Sequence, residues 1–260
     1  MKMKAQRKNK TPKFLSIYCF FLILGLTAFS SCRTTPAFDT SYQKIKFNDT
    51  TLIASPELSN LIAPYKQQLE GFMNDTIGML EGDLYKSKPE GSLGNFVCDE
   101  LLSFARMHSS QPIDFCFFNN GGLRVQSLSK GALIVKNIYE LLPFENTLEI
   151  IKLDGATCLL LLHKAAEEGG VPVSGIRFSI VDAHASDVVV QEQPFDPAKS
   201  YFILTNDYLA NGGEPVMKNT LQRISLPFKL REALIEHLRS KYALHQSITP
   251  VTDGRISQNK

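Results

Sequence analysis

Apolar positions along the chain recur at two spacings, and their alternation lays out the elements. In "SPELSNLIAPYKQQLEGFMND" (55–75), Leu58, Ile62, Tyr65, Leu69 and Phe72 fall at helical spacing, with Ser55 placed to cap and Pro56 suited to the first helical position. Pro64 lacks an N–H inside this stretch, so a bent or interrupted helix is expected. "LGNFVCDELLSFARMH" predicts a second helix, with Phe96, Val97, Leu101 and Phe104 on its buried side. "VKNIYELLP" reads as a short helix, "GATCLLLLHKAAEEGG" as a nearly all-apolar one ended by glycines, and "FKLREALIEHLRSKYA" as a last amphipathic one. Shorter apolar runs read as strands: "YQKIKF", "TIGMLEGDL", "IDFCFF", "TLEIIKL", "GIRFSIVD", "DVVVQEQ" and "YFILTN". Helices and strands interleave, the strand runs are apolar on both faces, and no linker or repeat interrupts residues 51–260. One α+β domain of mixed α/β layers is the economical reading.

Residues 1–31 break this pattern. Lys2, Lys4, Arg7, Lys8, Lys10 and Lys13 precede an uncharged run, "FLSIYCFFLILGLTAF", and "SSC" follows it. A positive head, an apolar core and small residues before a cut site describe a bacterial export signal. Cys32, just after the small residues, makes it look like a lipoprotein signal, cleaved before that cysteine and lipidated on it; the plainer alternative is an ordinary signal or an uncleaved anchor helix. The apolar run is short for a span of roughly 20 residues. The expectation is a protein exported to the bacterial cell envelope and held by lipid on its periplasmic side or at the cell surface, with residues 32–50 forming a tether and a first strand.

The leader also carries the charge. The whole chain is +2; without the six leader cations the remainder is −4, which lacks the basic face that a nucleic-acid partner requires. Cys98, Cys116 and Cys158 each sit in an apolar stretch and read as buried small hydrophobes. The five histidines show no HExxH and no histidine pair at ligand spacing, and there is no G-x-S-x-G elbow. Residue chemistry therefore offers no metal cage, nucleophile or cofactor in this chain.

What stands out is a set of turns at strand ends. "NNGGLR" (119–124) leaves one strand, "LPFENTL" (142–148) enters another, and "YLANGGEP" (208–215) follows a third. Glycines there let backbone amides approach a ligand. Arg124 offers its guanidinium either to a surface carboxylate or to a ligand anion, and Phe144 and Tyr208 serve either as packing or as two faces for a planar ring.

Taken in order, "LGNFVCDELL", "NNGGLR", "LPFENTLEIIKLDG", "SGIRFSI", "YLANGGEP" and "TDGRI" resemble the C-terminal domain of bacterial and animal 5′-nucleotidases, from about Leu58 to Ile256. The resemblance implies β-sheets packed between helices and a substrate-binding role, with hydrolysis done by two metals in a separate metallophosphatase domain. Divalent metals are then expected only in that partner domain. It also implies that Phe144 and Tyr208 sandwich the base, that Asn119 and Arg124 face ribose and phosphate, and that Glu214 accepts from ribose hydroxyls. Ser92 stands where the family often has an arginine, and Asn120 replaces the first glycine of its usual triple. Three roles stay open: the recognition half of a split 5′-nucleotidase working with a metallophosphatase-domain protein, a stand-alone nucleoside- or nucleotide-binding lipoprotein, and a structural or interaction module.

Overall fold

The computed structural model describes residues 55–258; the export leader, Cys32 and the "YQKIKF" strand lie outside them. In chain order the elements are α1 (Pro56–Met73), β1 (Thr76–Leu80), β2 (Leu84–Tyr85), α2 (Ser92–His108), β3 (Phe115–Phe117), β4 (Ser127–Leu128), β5 (Gly131–Ile134), α3 (Val135–Leu141), β6 (Thr147–Asp154), α4 (Gly155–Glu167), β7 (Val173–Ser174), β8 (Ile176–Val181), β9 (His184–Val190), β10 (Gln193–Pro194), β11 (Ser200–Asn206), β12 (Gln222–Lys229), α5 (Leu230–Ala243) and β13 (Ile256–Gln258).

The fold is α+β. A five-stranded sheet, β12-β6-β11-β3-β7, forms its centre, and a four-stranded sheet, β10-β9-β8-β13, lies to one side. Helix α4 packs against strands of both sheets, while α2 and α5 pack on each other. Leu161, Leu162 and Cys158 of α4 are fully buried, as are Leu93, Leu101 and Phe104 of α2. Burial pushes the Cys158 thiol up to about 12 and Cys116 well above the ordinary range, so neither is a thiolate.

Three elements differ from the sequence reading. Helix α1 runs unbroken through Pro64, and none of its residues is buried, so the apolar stripe it carries lies exposed. Only near its end does Phe72 meet Tyr139 edge to face at 6.2 Å. Strand β12 escapes the sequence pattern because Pro227 falls inside it; it is an edge strand with an irregular register past Ser225, where a missing N–H is tolerated. "TIGMLEGDL" is two short strands, which pair separately with β5 and β4.

Long-range ties close the domain. Ile248 donates its N–H to Met79 O at 2.8 Å and accepts from Glu81 N–H at 2.9 Å. In "TDGRI", the guanidinium of Arg255, 8% exposed, holds Asp99 at 2.7 and 3.1 Å, Asp253 at 2.9 Å and the Val173 carbonyl at 3.0 Å. This network joins the start of β13 to α2 and β7.

Candidate ligand-binding site

Strand direction brings the three turns together. β3 and β11 are parallel neighbours, so both end at the same edge of the central sheet. β6 runs antiparallel to β11 with Leu148 opposite Asn206, so it begins at that edge. The turn after β3, the loop before β6 and the turn after β11 must therefore converge.

Each is held by specific contacts. Asn120–Gly122 form a 3₁₀ turn over which the Asn119 amide folds: a Cβ on Gly121 would meet its Nδ2 at 3.3 Å, and one on Gly122 its Oδ1 at 3.1 Å. The two glycines make room for that amide. The Phe144 loop is anchored from α5, where Arg231 donates to the Leu142 carbonyl at 3.2 Å and to the Glu145 carboxylate, and Leu230 N–H donates to Asn146 O at 2.8 Å. Arg231 also lies over the Tyr139 ring at 4.1 Å. Asp207 Oδ1 accepts from both Thr147 N–H (3.2 Å) and Tyr208 N–H (2.9 Å), which couples the second loop to the third. In that third turn a Cβ on Gly213 would lie 2.4 Å from the Tyr208 ring, so the ring rests directly on glycine backbone.

The result is an open cleft of about 350 Å³ lined by Asn119, Gly121, Gly122, Arg124, Phe144, Asn146 and Tyr208. Its size is within the usual range for small-molecule sites. Phe144 and Tyr208 are 48% and 55% exposed, which leaves ring area open to a ligand. The Arg124 guanidinium stands 5.8 Å from the centre of the Phe144 ring, within cation–π reach. A narrower hollow beneath is mostly apolar, floored by Val97, Phe118, Leu142 and Leu230.

Four of the five binding residues expected from sequence thus line one cleft: Asn119, Arg124, Phe144 and Tyr208. Glu214 does not; its carboxylate caps the following turn by accepting from Val216 N–H at 3.3 Å. Ser92 is buried, its hydroxyl accepting from Tyr85 N–H at 2.9 Å. Asn146 is the lining residue that sequence reading missed, since an asparagine after "PFE" reads as ordinary turn chemistry. Among the described residues, the side chains of Asn119, Arg124 and Asn146 have no hydrogen bond to the protein, and Arg124 has no carboxylate partner. Polar groups left unspent around an aromatic cleft are available to a ligand.

No group of three or more histidine, cysteine or acidic residues among those described could hold a metal ion. The fold does create a histidine pair that sequence spacing concealed: His163 and His184 rings lie 5.1 Å apart, and His163 Nδ1 accepts from Ala185 N–H at 3.1 Å. Neither borders the cleft.

Fold and site together define an α+β domain with an open cleft lined by two exposed aromatic rings and, among the described residues, a cation without a carboxylate partner. Residues 76–220 match the family described as "5′-nucleotidase, C-terminal domain", and the chain belongs to that family. It is 26% identical over 204 residues to Protein UshA of Escherichia coli (strain K12), covering 74% of this chain and 36% of that protein. It is 24% identical over 241 residues to Cell wall protein Lmo0130 of Listeria monocytogenes, covering 82% and 30%. Among solved structures, the 5′-nucleotidase precursor from Thermus thermophilus superposes with a TM-score of 0.65 at 26% identity, over 77% of this chain and 42% of that one. The chain thus spans about a third of the length of these curated relatives.

Proposed function

We propose that this domain recognises a nucleotide, or its nucleoside, as the substrate-binding half of a 5′-nucleotidase, and that a metallophosphatase domain on a separate protein performs the hydrolysis. The observation that carries the reading is the convergence of two open aromatic rings with Asn119, Arg124 and Asn146, whose side chains make no hydrogen bond among the described residues. A base between Phe144 and Tyr208 is held by stacking, worth about 1–3 kcal/mol. Arg124, beside the ring, supplies charge-assisted donors to phosphate or ribose. Family membership supports the ligand class, and the likeness to a cell wall protein accords with an exported chain.

Hydrolysis is assigned elsewhere on chemical grounds. Phosphate-monoester cleavage requires enhancements of up to about 10²¹-fold, and stacking with one arginine positions a substrate without generating a nucleophile. Two metals can stabilise both the attacking and the leaving oxygen.

Two measurements test this. In calorimetry with AMP and adenosine, Phe144→Ala should weaken both, and Arg124→Ala should weaken AMP more. The purified chain incubated with AMP and Mn²⁺, Zn²⁺ or Mg²⁺ should release no phosphate above background, and a cognate metallophosphatase domain should restore turnover. Metal-dependent turnover by the chain alone would overturn the division of labour. Binding without any restoring partner would favour a stand-alone binding lipoprotein, and absence of binding an interaction module.

A further inference from the structure

Two cations flank the "NNGGLR" turn, and among the described residues neither has a carboxylate partner. Arg124 is one. Lys86, which follows β2, is the other: its Nζ donates to Asn120 O at 2.7 Å and to Leu123 O at 3.0 Å, across 34 and 37 residues of sequence. Both carbonyls belong to the turn that presents Asn119 and Arg124. The stem of Lys86 is itself fixed, since its backbone N–H donates to Gln126 O at 2.8 Å. A second grip comes from Asn120, whose Nδ2 donates to Gly170 O at 2.8 Å. Lys86 borders a small hollow with Gly94, Asn95 and Pro172, which shares no lining residue with the cleft.

A half-buried ammonium without a counter-ion, close to an unpaired guanidinium, is repelled by it. Burial, Arg124 and then Lys88 hold the Lys86 ammonium below the ordinary lysine range. An anion placed in the cleft relieves that repulsion, and an uncharged ligand does not.

We propose that Lys86 is a positioning and selectivity residue of the cleft: it clamps the turn that presents Asn119 and Arg124, and its charge biases the site toward phosphorylated over unphosphorylated nucleoside. This rests on the reading of the cleft as a nucleotide site. A lysine serving the fold alone would leave that preference unchanged.

The test uses the whole chain, with Lys86→Met and Lys86→Arg, titrated calorimetrically with AMP and adenosine, and with amide exchange over 119–124 followed without ligand. Lys86→Met should raise the Kd for AMP about fivefold and that for adenosine less than about twofold, with faster exchange in the turn. Lys86→Arg should keep the AMP preference. Equal loss for both ligands overturns the selectivity, and unchanged exchange overturns the clamp. If the unaltered chain binds neither compound, the nucleotide reading falls and the selectivity with it, while exchange still decides the clamp.

Discussion

Gly213 offers a way to disturb one face of the cleft without touching the core. A Cβ at this position would lie 2.4, 2.6 and 2.7 Å from Cε1, Cζ and Cδ1 of Tyr208. Carbon atoms rest at about 3.5–4.0 Å, so in Gly213→Ala the ring must retreat by about 1 Å or swing away. The ring is 55% exposed and can do so into solvent; surface changes of this kind usually stay within about 0.5 kcal/mol of the original stability. A base stacked on both sides gains about 1–3 kcal/mol, and losing one of two faces removes about half of that. The Kd for AMP should therefore rise about three- to tenfold, with 1.4 kcal/mol equal to tenfold, while the melting temperature barely moves. Gly212→Ala is the contrast. Gly212 has φ +110°, which side-chain-bearing residues rarely adopt, so backbone strain should lower stability by more than about 1 kcal/mol, while the end of the Lys218 side chain, 2.0 Å from such a Cβ, can swing aside. Calorimetry and thermal melts on the pair decide the matter. A Gly213→Ala chain that binds AMP as tightly as the unaltered one, or that melts as early as Gly212→Ala, refutes the reasoning.

Two further outcomes concern the fold. Arg255→Met strands the carboxylates of Asp99 and Asp253; both are partly exposed and rehydrate, so the cost should be about 3 kcal/mol, the low end for a broken buried pair, read from urea denaturation. Stability should also fall in acid through Glu100: burial opposes its ionisation, but His237 at 3.1 Å and Lys241 at 2.6 Å outweigh that and hold its carboxyl below the usual carboxylate range. Because its folded value is depressed, the contribution is complete above an unfolded value of about 4.3 and is lost as pH falls through the folded one. Denaturation measured from pH 7 to pH 3 should show a shallower acid limb in Glu100→Gln; an unchanged limb would remove Glu100 from the account.

How much of this was legible beforehand varied with the length of the signal. Helices such as α2 and α4 carry three or more turns of apolar periodicity, and their buried faces came out where the spacing put them. Strands of two to four residues, such as β4 and β5, carry no period, and β12 hides behind Pro227. The three site turns were legible because Gly-Gly next to Asn, and aromatics beside strand ends, are local features. Glu214 was placed by the family resemblance alone, and its carboxylate turns to the backbone N–H of Val216, two residues on, which no spacing reveals. Asn146, Lys86 and the His163–His184 pair depend on contacts across tens of residues. Those arise only once the elements that carry them are packed together.

The tie between Ile248 and β1 has a consequence in time. Synthesis runs at about 5–20 residues per second, so Leu80 leaves the ribosome roughly ten to thirty seconds before the residue that bridges to it. Arg255 and β13, which complete the second sheet and pin α2, follow later still. Helices, the β8–β9 hairpin and the β1–β5 pair have nearer partners and can form early, but the two hydrogen bonds with Ile248 and the guanidinium network have nothing to meet until those late residues are free. A domain whose second sheet and whose grip on the end of β1 wait for residues 248–258 stays unfinished for as long as a ribosome holds that stretch.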